Sequence, residues 1–151
     1  MIKLSLTVAS LITLSAFLSS CKSDEETIKQ AENEVFALHD EVMPKMDDLM
    51  KLRKQLNQQI SLIDSLKATG SAAATLRSDE EKEQAIRLRR NLNEADSLMY
   101  YWMDHYVGDT LAKLSTDEAL RYLADQKEKI TDVKTKYNSS IEQAREFLGK
   151  K

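Results

Sequence analysis

The chain has 151 residues and a formal net charge of −3, from 22 Lys and Arg against 25 Asp and Glu. That length supports one domain with a real core and is short for two. A mildly acidic chain is a poor nucleic-acid binder, and 3 Gly with 1 Pro among abundant Leu, Glu, Lys, Gln, Asp and Ala favour helix throughout.

The chain opens with Lys3, an apolar and small-polar run from Leu4 to Phe17, and then Leu18-Ser19-Ser20. A charged start, a short apolar run and small residues before a cut are the layout of a secretory signal peptide, here residues 1–20. The run is too short to cross a bilayer ~30 Å thick, which takes about 20 residues. The only cysteine, Cys21, has no partner for an internal disulfide. Leu18-Ser19-Ser20-Cys21 resembles the bacterial lipobox, with an apolar residue three before the cysteine and a small one just before it. The resemblance implies that the Cys21 thiol is acylated (palmitate is the expected chain), that the peptide is cut before it, and that two or three acyl chains anchor the product stably. Cutting 20 of the 151 residues leaves 131, and losing Lys3 moves the net charge from −3 to −4.

Residues 21–27 form an acidic tether, followed by a helical domain over 28–151. Lys22-Ser23-Asp24-Glu25-Glu26 resembles the export signal of surface lipoproteins of the Bacteroidota, which implies outer-membrane anchoring and, as a further step, outward display.

Three helices follow. Helix 1 runs from about Asp24 to Lys67, with its stripe at Ile28, Ala31, Val35, Leu38, Val42, Met46, Leu49, Leu52, Leu56, Ile60, Ile63 and Leu66. Pro44 predicts a kink or break between His39 and Pro44. The stretch 68–75 reads as a loop. Helix 2 starts at a capping box, Ser78 with Glu81, and carries a seam of Ala85, Leu88, Leu92, Ala95, Met99, Trp102 and Tyr106, with Gly108 as its stop. Helix 3 follows Ser115 and Glu118, a second capping box, and turns Leu120, Leu123, Ile130, Val133, Tyr137, Ile141, Ala144 and Leu148 inward. Short loops make neighbours antiparallel. The expected fold is all-α: an up-down-up antiparallel three-helix bundle, coiled-coil-like, with a long Pro-kinked first helix whose acidic beginning serves as a stalk. That register sets Met46 level with Met99, Met43 with Trp102 and Met103, and His39 with Tyr106 and His105.

One patch could carry chemistry. Five of the 6 methionines, both histidines and the single tryptophan fall within His39–Met50 and Met99–His105. Imidazole and thioether ligands suit Cu(I), or less well haem iron, so His39, Met43, Met46, Met99, Met103 and His105 are the candidate metal set. The competing reading is packing, since methionine fills irregular gaps beside aromatic rings. The pair His39-Asp40 is too small for a metal site by itself. A di-iron bundle needs Glu-x-x-His, and Phe36 and Trp102 stand where the glutamates belong. No Gly-rich phosphate loop or zinc-protease motif occurs, and lipidation leaves no free thiol nucleophile. The basic run Arg87-Leu88-Arg89-Arg90 reads as a solvated helix face.

Asp64-Ser65-Leu66, Asp96-Ser97-Leu98 and Asp109-Thr110-Leu111 resemble the Asp-(Ser/Thr)-apolar O-glycosylation acceptor of the same bacteria, which implies Ser65, Ser97 and Thr110 as glycan candidates. His39 to Met46 and the Trp102 region resemble small helical Bacteroidota lipoproteins labelled as similar to viral A-type inclusion protein. That label reflects coiled-coil likeness and implies no activity and no catalytic residues. The sequence therefore predicts a non-enzymatic, cofactor-free cell-envelope lipoprotein, lipid-anchored at the outer membrane, acting through a protein partner or self-association and not through nucleic acid. The alternatives are a Met/His copper- or haem-binding envelope protein and a carrier using a cavity at the kink.

Overall fold

The computed structural model describes residues 23–67 and 72–149, so the signal segment and Cys21 lie outside the described residues. Those residues are helical almost throughout, with no strand among them. The α-helices are α1 (Asp24–Val42), α2 (Met46–Lys67), α3 (Ala72–His105) and α4 (Thr116–Gly149). Met43–Lys45 and Gly108–Lys113 are 3-10 segments.

The helix ends follow from local chemistry. Ser23 caps α1 by accepting from the Glu26 N–H at 3.2 Å, and Asp24, Glu25 and Glu26 lie at the positive end of the helix dipole. The residues read as the end of the tether are therefore helical. They are also no free stalk: the Thr116 hydroxyl donates to the Asp24 carboxylate at 3.2 Å, and Ile28 packs against the core. Pro44 cannot donate to the carbonyl one turn back and crowds that turn. The α-helical ladder gives way there to one 3-10 turn and resumes at Met46. Helix α3 starts at Ala72, six residues ahead of the expected Ser78 cap, because Ala72-Ala73-Ala74 is the best helix-forming run available. It ends at His105, short of Gly108, which enters the 3-10 segment with no positive φ. At α4 one half of the expected capping box forms: Glu118 reaches back to accept from the Ser115 N–H at 3.0 Å, and the Ser115 hydroxyl donates to the same Oε2 at 2.6 Å.

The core is a seam of steps of three and four. It runs through Val35 and Val42 of α1, Leu49, Leu52 and Leu56 of α2, and Ala85 through Trp102 of α3. On α4 it is Ala119, Leu123, Gln126, Ile130, Val133, Tyr137, Ser140, Ala144 and Phe147. Ala119 and Phe147 take the places expected for Leu120 and Leu148, and Leu66 is 64% exposed instead of buried. Each fully buried leucine or isoleucine contributes about 1.5–3 kcal/mol of apolar transfer.

Polar pairs along the seams set which residues meet. Between α2 and α3, Lys67 pairs with Asp79, Lys82 with Asp64, Arg89 with Asn57 at 2.9 Å and Arg53 with Asp96 at 3.1 Å. Between α1–α2 and α4, Lys127 pairs with Glu34 at 2.7 Å, Lys45 with Asn138 at 2.6 Å and Arg145 with Asp48 at 2.8 Å. Between α3 and α4, Lys136 pairs with Glu94 at 2.9 Å, and the Ser140 hydroxyl donates to the Asn91 carbonyl at 3.3 Å. Exposed pairs of this kind are worth ~0–1 kcal/mol each, so they select register more than they stabilise.

Leu92, fully buried, should lose about 2–5 kcal/mol as Leu92→Ala. Leu62, 55% exposed, should change by less than about 0.5 kcal/mol as Leu62→Ala. Urea unfolding of both variants measures the contrast.

Candidate functional site

Helix α1 packs chiefly on α4, whereas α2 packs chiefly on α3. Across the remaining flank between α1 and α3, large side chains make the contact. Trp102, 5% exposed, is at the centre. Its ring lies 5.6 Å from the His39 imidazole and 5.4 Å from the Tyr106 ring. Phe36 meets Tyr106 edge-on at 5.1 Å, and Tyr122 closes the row at 6.1 Å from Tyr106. Aromatic pairs of this kind add about 0.5–1.5 kcal/mol each beyond their burial.

This geometry revises the expected register. His39 meets Trp102 and Met103, whereas Tyr106 meets Phe36 and donates its hydroxyl to Glu32 at 2.9 Å. The shift is about one helical turn. Its cause is tertiary: α1 takes its level from α4, and only long side chains reach across to α3.

His39 is held at both ring nitrogens. Nδ1–H donates to Asp40 at 2.9 Å, and Nε2 lies 3.4 Å from the Met103 sulfur. The His39 side chain is 19% exposed, and that of Asp40 is 74% exposed. Met43, one turn beyond His39, is partly buried against the core. The other members of the set lie elsewhere. Met46 accepts a long contact from the Tyr100 hydroxyl at 3.8 Å, and Met99 is fully buried in the seam. His105 stacks on Tyr101 at 3.9 Å and donates Nδ1–H to the Tyr101 carbonyl at 2.8 Å. The structure thus brings His39 and Met103 together and turns His105 away from them. Among the described residues no group of three or more His, Cys, Asp and Glu is arranged to hold a metal.

Sequence reading had noted the adjacency of His39 and Asp40 without giving Asp40 a role, and it gave Glu32 none. Neighbouring helical side chains diverge by about 100°, which hides a bond made through a ring edge. Glu32 has no local signal, since its partner lies on another helix.

Two grooves flank this region. One, of about 620 Å3, lies between α3 and α4 and is lined by Leu98, Tyr101, Trp102, His105, Gln126 and Val133, with lysines at its rim. The other, of about 680 Å3, lies beside the 3-10 turn and is lined mostly by charged groups, among them Lys45, Asp48, Glu142 and Arg145. In the basic run Leu88 is buried, while Arg87 and Arg90 are exposed; Arg87 lies 3.6 Å from Glu83 and Arg89 bonds Asn57 at 2.9 Å. Thr110 lies in the 3-10 segment Gly108–Lys113, Ser97 is exposed within α3, and Ser65, within α2, donates to the Ser61 carbonyl at 3.0 Å. No described helix is long and apolar enough to cross a membrane. No family model matches the chain, and neither the curated proteins nor the solved structures contain a match to it.

Two phenols are tuned by their surroundings. Burial, and then the hydrogen bond to Glu32, hold the Tyr106 proton far above the usual tyrosine range. Burial first, and then the Asp96 charge, raise Tyr137 to about 12, and among the described residues its buried hydroxyl has no hydrogen-bond partner. Both groups bind their proton more tightly folded than unfolded, so their contribution to stability is complete below pH ~10 and is lost as pH rises through the folded values. Ultraviolet titration of the native protein should therefore show two of the 5 tyrosines ionising last. Tyr137→Phe should remove one of these late titrations and leave stability at pH 7 unchanged or higher, because it deletes an unsatisfied buried hydroxyl.

Proposed function

We propose that the chain is a membrane-anchored cell-envelope lipoprotein whose helical body is an interaction or structural module without catalytic activity. Its body reads as an up-down-up three-helix bundle with α1 and α2 as one Pro-kinked rod. What supports that topology is the run of pairs: partner numbers fall from α2 to α3 and rise together from α1 to α4. What supports the anchor is the lipobox-like Leu18-Ser19-Ser20-Cys21, placed immediately before a capped helix that starts at Asp24. The resemblance of residues 22–26 to the export signal of surface lipoproteins supports an outer-membrane position.

The observation that carries the interaction reading is the apolar end formed by α2 and α3. Leu62, Leu66 and Leu76 are 55%, 64% and 70% exposed near the α2–α3 connection. Large exposed apolar side chains near one end of two adjacent helices are candidates for a contact surface. The end of the bundle opposite the tether would thus be its contact surface, for a protein partner or a second copy.

Labelled palmitate should enter the wild-type protein, and Cys21→Ser should abolish labelling and release the protein from the membrane fraction. Crosslinking in intact cells should capture a defined partner, and Leu62→Glu with Leu76→Glu should lose it; no labelling, or capture unaffected by the double change, would overturn the respective half of the proposal.

Thr110 is the expected glycan acceptor of the three motif matches, because it alone lies outside an α-helix. Intact-mass measurement should show glycan in addition to lipid, and Thr110→Ala should remove it.

A further inference from the structure

We propose that His39 and Met103, with Met43 as third ligand, form a Cu(I) site on the flank between α1 and α3. The carrying observation is the approach of an imidazole nitrogen and a thioether sulfur from different helices, Nε2 to Sδ, at 3.4 Å. A carboxylate accepts, so the Nδ1 bonded to Asp40 at 2.9 Å carries the ring hydrogen. In the neutral ring Nε2 then presents a lone pair, and so does the facing sulfur. A soft cation bound between them would take both donors.

The geometry suits a soft d10 ion. Bonds of ~2.0 Å to nitrogen and ~2.3 Å to sulfur span that separation at an angle well short of linear, which leaves room for a further ligand. Met43 follows His39 by one turn and is partly buried against the same core, so its thioether is the one that spacing supplies. Two thioethers and one imidazole favour Cu(I) over Zn(II) or Mg(II), which take harder donors. Asp40 acts as a positioning residue: it fixes the imidazole tautomer and turns Nε2 toward the sulfur. The 19% exposure of His39 leaves a path for the ion to enter. Trp102, with its ring 5.6 Å from the imidazole, is the only tryptophan in the chain, so its emission reports this site alone.

The purified full chain in detergent should be titrated anaerobically with Cu(I) against a chromophoric chelator. One equivalent should be withdrawn with Kd below ~1 µM, and Trp102 emission should fall with the same stoichiometry. His39→Leu and Met103→Leu should each weaken binding by at least ~100-fold, and Asp40→Ala by ~10–100-fold. Asp40 is exposed, so its removal tests the site without disturbing the core. Met46→Leu and His105→Leu should bind as the wild type does. No uptake at micromolar Cu(I), or wild-type affinity in Met103→Leu, or equal loss in His105→Leu, would overturn the site. A free Cys21 thiol would itself take up Cu(I), so the titration is repeated on Cys21→Ser, which should bind the same single equivalent; loss of uptake there would overturn the site.

Discussion

The seam on α4 can stay dry only if other helices lie along its whole length. From Ala119 to Phe147 its inward positions alternate steps of four and three, and nearly every one is buried. A period of 3.5 is slightly shorter than the 3.6 of a straight helix, so keeping such a stripe against its neighbours requires the helices to wind gently about each other. Helices of 34 residues, ~51 Å long, then become compulsory companions, because a shorter neighbour would leave leucines in water. The sequence meets that demand with α3 on one side and the α1–α2 pair on the other. The single proline is placed where one turn of 3-10 absorbs it without breaking the seam, between buried Val42 and buried Leu49.

At the end where α1 and α4 begin the seam changes material. Leucine gives way to Trp102, Tyr106, Phe36 and Tyr122, and the flank between α1 and α3 is bridged by rings instead of closed by aliphatic packing. Rings reach further but leave polar atoms to satisfy. Tyr106 solves this with Glu32 and His39 with Asp40, whereas the buried Trp102 indole N–H finds no acceptor among the described residues. The two ends thus differ: one exposes Leu62, Leu66 and Leu76, and the other is ring-filled, with single polar atoms facing each other at fixed distances.

The legible part of this fold was the part governed by local period. The α3 seam from Ala85 to Trp102 stands as its spacing implies, because every position in it is apolar and no competing frame exists. On α4 the frame was harder to read. Gln126 and Ser140 occupy seam positions, and a reading that follows hydrophobicity steps past them and ends on Leu120 and Leu148. Angle around the helix, and not side-chain polarity, decides burial there. The α3 start was misread because a good capping box at Ser78 outweighed three alanines ahead of it. Of the candidate metal set, the sequence could gather the residues onto two stretches but could not choose among them. The choice depends on whether α1 leans on α3 or α4, a tertiary fact with no signal of its own.

That choice also bears on why methionine occupies these places. Met99 is a seam residue, fully buried, and leucine would serve there almost as well. Met103 is not in the seam: it sits one position past Trp102, partly buried, with its sulfur directed at an imidazole. An aliphatic side chain would fill the same volume but would offer the imidazole no polar atom, whereas the thioether sulfur lies 3.4 Å from Nε2. What separates Met103 from Met99 is its surroundings: one sulfur lies in the apolar seam, and the other faces the imidazole that Asp40 holds.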